Sequence, residues 1–286
     1  MRAPSPSLAV AVIGAPADVS ARHDAAIAAT SGLYRINDDP TESERTSIVV
    51  ICHPHIEERV FACEQALEQG RFVLCQAPPA ASAKQARRLA HVAATGRGVL
   101  QWEAPPLYSG FADAAQRAVT NLGAVLYMRL QLLLPQSWLA DGSAGIIDSE
   151  GLWVLPFVEE IFGTLDSVAA HTRALVRTER ATEDIALAHV ECIGGVEGTI
   201  ELHALGEEAL VRLEAFGPRG SIRVERDLHT ERLLGLRRQY QRLRELAQAG
   251  DWRPMDNVVQ AVTLAHWLRQ SARLGVRLHR RDQERS

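Results

Sequence analysis

Between residues 8 and 102 the chain alternates short, unbroken apolar runs with helix-favouring stretches. That alternation restricts the fold more than any other feature. Leu8-Ala-Val-Ala-Val-Ile-Gly14 and Ser47-Ile-Val-Val-Ile-Cys52 have no polar face, as expected of parallel strands covered on both sides. Residues 32–39, 72–75 and 98–102 read as further strands, and 21–29, 57–69 and 82–93 as helices, with Gly70 stopping the second. Strands interleaved with helices predict an α/β class built on a parallel sheet.

The pattern changes after Ala104-Pro-Pro106. Residues 124–135 alternate with period two, which puts Leu126, Met128, Leu130 and Leu132 on one face. More strands are expected at 185–192, 198–203, 209–215 and 221–225, with turns at Gly194-Gly195 and Gly217-Pro-Arg-Gly220. Consecutive strands with short links predict an open, largely antiparallel sheet with one buried face. A helix over 255–274 would bury Val258, Val262, Ala265, Leu268 and Ala272. The expected division is 1–110 and 111–286.

Composition narrows the function classes. At 286 residues, 47% apolar and 23% charged, the chain has the make-up of an ordinary globular protein. A net charge of -4 argues against nucleic acid as the main partner. No run reaches the ~18 apolar residues of a membrane span. Four cysteines without C-x-x-C spacing point to a reducing, cytoplasmic setting. Cys52-His53-Pro54-His55 and Cys75 bring thiols and imidazoles to neighbouring strand ends, but their spacing fits no standard metal motif, so none is expected. Arg232, Arg237, Arg238, Arg242 and Arg244, interleaved with leucines, read as the solvated face of an amphipathic helix.

Local motifs then suggest a family. Gly70-Arg-Phe-Val-Leu-Cys-Gln-Ala-Pro78 resembles the "G-k-h-V-l-c-E-K-P" segment of the Gfo/Idh/MocA nicotinamide-dependent oxidoreductases. Ile48-Val-Val-Ile-Cys-His-Pro54, Gly194-Gly-Val-Glu-Gly-Thr-Ile200, Phe216-Gly-Pro-Arg-Gly-Ser-Ile222 and Ser271-Ala-Arg-Leu-Gly-Val276 resemble other family segments in the same order. The resemblance implies a reduced Rossmann-like domain followed by an α+β domain with an open, largely antiparallel sheet. It also implies NAD or NADP as cofactor, a small polar substrate such as a sugar, imine or carbonyl compound, and oligomers formed through the open sheet. Cofactor contacts would fall at Gly14, Asp38, Asp39, Pro54 and Gln76.

The departures concentrate on the functional positions. The dinucleotide turn reads Gly14-Ala-Pro-Ala-Asp-Val19, with Pro16 and Val19 at its second and third glycine positions. Only residues 40–47 separate the acids from the next strand, too few for the family's helix and strand, so an edge strand should be missing. The family's Lys is Ala77; Lys84, the chain's only lysine, lies on the following helix. The family's His is Trp153 and its following Asp is Pro156, with Ser149 and Asp148 near the first Asp position. A methyl group transfers no proton, and an indole N–H exchanges none near neutral pH. The expectation is a degenerate member, a pseudoenzyme with lost or much weakened catalysis, serving as a binding or partner subunit in a homo- or hetero-oligomer. The alternative is an active NAD(P)-dependent oxidoreductase using His53, His55 or Glu103 as proton donor, with Tyr108 and Glu150 as further candidates.

Overall fold

The computed structural model describes residues 7–37, 46–139, 144–176, 182–250 and 257–283. The chain forms two compact units, Met1–Tyr108 with Leu233–Val262, and Ser109–Arg232 with Thr263–Ser286.

In the first unit, β1 (Leu8–Ile13), β2 (Leu33–Ile36), β3 (Thr46–Ile51), β4 (Phe72–Cys75) and β5 (Val99–Trp102) form a sheet ordered β2-β1-β3-β4-β5. Every neighbouring pair is parallel. The helices between them are α1 (Ala17–Ala28), α2 (Ile56–Glu68) and α3 (Ala83–Gly96). The sheet is continuous across β1 with β2 at its edge, as the short link ahead of β3 predicts. Ser82 caps α3 by accepting the Gln85 N–H, which fixes where that helix begins. Helix α1 begins four residues before the alanine-rich stretch that announces it, at the turn itself.

The β1–β3 face takes its cover from far along the chain. Of the helix Leu228–Ala249, called α6 below, Leu236, Tyr240, Leu243 and Leu246 are buried against Val10, Val50, Leu74 and Ile27. These residues recur every three or four positions, the stripe of a core-facing helix. Gln239 donates to the Trp102 carbonyl and accepts the Ala104 N–H, pinning α6 to the end of β5. At Gly235 the helix passes so close to the Pro105 carbonyl that a Cβ would lie 1.9 Å from it. The arginines of this segment are exposed at Arg237 and Arg242 and half-buried at Arg238 and Arg244. The expected solvated face is therefore one side of a helix whose other side is core.

In the second unit, a helix α4 (Gly110–Leu122) precedes β6 (Tyr127–Pro135), and α5 (Val154–Phe162) precedes β7 (Leu165–Arg173). Strands β8 (Ile185–Cys192), β9 (Glu197–Gly206), β10 (Leu210–Gly217), β11 (Gly220–Asp227) and β12 (Leu278–His279) complete a sheet ordered β11-β10-β6-β9-β8-β7-β12. All pairs are antiparallel except β6–β9, so the sheet is mixed. Met128, Leu130 and Leu132 are buried as the alternation requires, whereas Leu126 lies ahead of the strand and is 61% exposed. Strand β7 was not legible, because Asp-Ser-Val-Ala-Ala-His-Thr shows no apolar alternation. Helix α7 (Asn257–Leu274) buries Val258, Val262, Ala265 and Leu268, and Gly275 at φ 67° ends it. Among the described residues no helix is long and apolar enough to cross a membrane.

Candidate functional site at the strand ends of the first unit

In an open parallel sheet, ligands bind beyond the strand C-termini where the strand order reverses. Here that point lies between β1 and β3, and it carries Gly14 and His53. The Cys52 N–H donates to the Ile13 carbonyl at 2.9 Å, fixing the two strand ends side by side. Gly14 adopts φ 67°, which a side chain disfavours. A Cβ built there would lie 2.5 Å from Cγ and Nδ1 of His53, so the imidazole rests on bare backbone. His53 Nδ1 is 3.5 Å from a Glu58 carboxylate oxygen on the first turn of α2. His55 is the exposed N-cap residue of that helix and makes no side-chain cap. Pro54 between them is exposed.

Arg59, 5% exposed, organises two of these loops. Its Nε and Nη2 donate to the His53 carbonyl at 2.9 and 2.6 Å, and Nη1 donates to the Pro78 carbonyl at 2.7 Å. Thus one buried guanidinium joins the His53–Pro54 loop to the Gln76-Ala77-Pro78 loop, whose Ala77–Pro78 peptide is cis. Gln76 is half-buried and its N–H donates to the Ile51 carbonyl. Sequence reading missed Arg59, since an arginine on an amphipathic helix ordinarily faces water.

Glu103 is 6% exposed, and its N–H donates to the Cys75 carbonyl, next to the 76–78 loop, at 2.7 Å. Its carboxylate is 3.4 Å from Arg22 and 3.7 Å from Nε2 of His23. His23 is fully buried, with Nδ1 2.9 Å from the Tyr240 hydroxyl and Nε2 3.5 Å from Cys52 Sγ. Burial lowers the His23 pKa, and the Glu103 charge only partly opposes that. Burial likewise holds the Cys52 thiol and the Tyr240 phenol well above their ordinary values. This is an internal polar network. His23, inside an alanine-rich helix, gave no sequence signal. Asp38 and Asp39 lie outside the described residues. The described residues contain no group of three or more His, Cys, Asp or Glu side chains able to hold a metal ion.

A pyrophosphate needs backbone N–H groups at the turn and close approach at its second glycine. The second position is Pro16, which caps α1 and has no N–H. Asp18, exposed in the first turn of α1, suits the helix dipole but would repel phosphate. The residues present do not fit a dinucleotide phosphate.

The remaining family positions belong to the second unit. Trp153 is 3% exposed and packs edge-on against Phe111 and Phe157, with centroids 6.2 and 5.7 Å apart. Pro156 falls in the first turn of α5, which begins at Val154, two residues before the start that Pro156 suggests. Asp148 pairs with Arg269, and the Ser149 hydroxyl donates to the Gly145 carbonyl. Glu150 pairs with Arg232, whose guanidinium lies 4.4 Å over the Trp138 ring. In the first unit, the Tyr108 carbonyl accepts from Arg238. A trough of about 700 Å3 on the open face of the second unit's sheet, lined by residues such as Arg129, His189 and Arg277, contains none of the expected site residues.

Solved structures share this architecture over nearly the whole chain. A myo-inositol 2-dehydrogenase from Lactobacillus plantarum matches with TM-score 0.82 at 16% identity, covering 96% of this chain and 99% of that one. GenD2 from gentamicin A biosynthesis, solved in complex with NAD, matches with TM-score 0.83 at 18% identity and 96% coverage of both chains. The WlbA dehydrogenase from Bordetella pertussis, solved with NADH and UDP-GlcNAcA, matches with TM-score 0.77 at 16% identity over 96% of this chain and 98% of that one. No protein-family model and no curated protein sequence matches the chain. The structural neighbours are Gfo/Idh/MocA-type NAD-dependent dehydrogenases, and the chain has their two-domain fold: a parallel five-stranded sheet domain and a mixed, mostly antiparallel one.

Proposed function

We propose that this protein is an oxidoreductase-fold protein whose catalysis is lost or much weakened, and that it acts as a binding or partner subunit. The observation that carries the reading is Trp153. At the family's His position stands an indole packed edge-on against Phe111 and Phe157, whose N–H exchanges no proton near neutral pH. Ala77 at the Lys position supports it. The open face of the second sheet, with Leu187, Phe216 and Val276 exposed, supports association with a second copy or a different chain. The test is turnover: purified protein with NAD, NADP, NADH or NADPH and a panel of polyols, sugars, imines and carbonyl compounds. No change in nicotinamide absorbance above a protein-free control is expected, and substrate-dependent turnover by the native chain would overturn the reading. Sedimentation velocity tests the association.

A second reading, an active NAD(P)-dependent oxidoreductase on a small polar substrate, draws on the NAD and NADH complexes of GenD2 and WlbA. His53 is then the best-placed proton carrier, being half-exposed and beside Glu58. Loss of that turnover in His53→Gln would support this assignment.

A further inference from the structure

The turn after β1 keeps one hallmark of a dinucleotide loop, the positive-φ Gly14, and the structure gives that glycine another use. Its bare Cα seats the His53 imidazole: three ring atoms lie within 2.8 Å of where a Cβ would stand. The ring is held from several directions. The β1–β3 ladder sets Gly14 and His53 alongside each other, Arg59 grips the His53 carbonyl with two N–H groups, and Glu58 flanks Nδ1.

We propose that His53 is the resident occupant of the Gly14 turn, and that the strand ends of the first unit accept no dinucleotide pyrophosphate while it is there. Three obstacles coincide. The imidazole takes the side-chain space of the first turn position, Gly14, whose backbone is otherwise exposed. Pro16 withdraws the N–H at the second and puts an exposed ring where a bare backbone is needed. The Asp18 carboxylate stands on the first turn of α1, where an anion would otherwise be favoured. Gly14 thus meets two demands at once, a positive φ and room for the His53 ring. The inference starts from the same departures as the proposed loss of catalysis but has a separate fate. A chain that turned over substrate with some other cofactor would leave it intact, and one that bound NADH without turnover would overturn it alone.

The experiment is an NADH titration of the full chain, read by nucleotide fluorescence and by the His53 imidazole resonances, assigned by comparison with His53→Gln. In the native protein, those resonances should stay in place and fluorescence should show no saturable binding up to about 1 mM. The Pro16→Gly/His53→Ala variant should bind NADH at least about tenfold more tightly than the native chain. Micromolar binding by the native protein with displacement of the His53 signals would overturn the proposal. So would weaker NADH binding in His53→Ala, which would make the imidazole a ligand. A folded double variant that gains nothing would also overturn it, by placing the obstacle elsewhere. If the double variant does not fold, the native resonances decide the matter.

Discussion

Replacing Arg59 by Met removes the guanidinium that joins the 53–54 and 76–78 loops. The methionine keeps most of the apolar stem, so the loss falls on the hydrogen bonds. The Nε and Nη2 contacts to His53 at 2.9 and 2.6 Å and the Nη1 contact to Pro78 at 2.7 Å are charge-assisted. The 3.4 Å contact to Pro54 is long enough to neglect. With the forked pair on His53 counted as one, each of the two carbonyls left behind forfeits a bond worth about 1.5–3 kcal/mol. Both residues are half-buried, so water recovers part of this, and the net local loss should be about 2–4 kcal/mol. Because the chain has two units, a single unfolding free energy is not the right observable. Native-state hydrogen exchange is. Amides over 52–59 and 76–80 should exchange roughly 30- to 900-fold faster in Arg59→Met, from about 1.36 kcal/mol per tenfold. Arg59→Lys should fall between, since an ammonium cannot reproduce the planar fork. Acceleration below about threefold in both segments of Arg59→Met would show that water satisfies these carbonyls, and would remove Arg59 from its positioning role.

Trp153→Ala should destabilise the second unit by about 3–5 kcal/mol by emptying the space between Phe111 and Phe157. A thermal midpoint within about 2 °C of the native value would contradict that packing. His23 makes stability depend on pH: its folded pKa lies below 6.5, so the unfolded chain takes the proton first. Its contribution is full above about pH 6.5 and lost as pH falls through the folded pKa, at up to ~1.4 kcal/mol per pH unit. Denaturant midpoints for His23→Gln should show a shallower fall between neutral and mildly acidic pH; parallel profiles would count against it. Cys52 and Cys63 are held well up by burial, and Cys192 is pushed up to about 11, also mainly by burial. These three thiols should therefore react at least about 100-fold slower in the native protein than in denaturant. A fast native phase would reveal local opening.

What the sequence disclosed depended on whether neighbours along the chain or neighbours in space decide a residue's role. The apolar runs at 8–13 and 47–51 announced central strands because two-sided burial leaves no polar position. The short link before β3 announced a truncated sheet edge once its length was set against the helix and strand that the family resemblance implies there. Ala77 and Trp153 stood out only through the family resemblance, and the packing of Trp153 against Phe111 and Phe157 was not legible at all. By contrast, β7 was hidden because its buried positions include Ser167 and its outward ones alternate irregularly with alanine. The His23–Tyr240 pair is 217 residues apart, and no local pattern anticipates it. The His53–Gly14 contact was hidden for another reason: a glycine's sequence cannot say which group takes advantage of its missing side chain.

The packing of α6 on the first sheet has a consequence for biosynthesis. When residue 108 leaves the ribosome all five strands exist, but the apolar surface of Val10, Val50 and Leu74 still awaits Leu236, Tyr240 and Leu243. At about 5–20 residues per second, translating 109–232 takes roughly 6–25 s. For that interval the nascent sheet presents one greasy side to solvent or to a chaperone. A truncated product ending near residue 108 should accumulate in the insoluble fraction, rescued in part by supplying the 228–250 segment as a separate peptide.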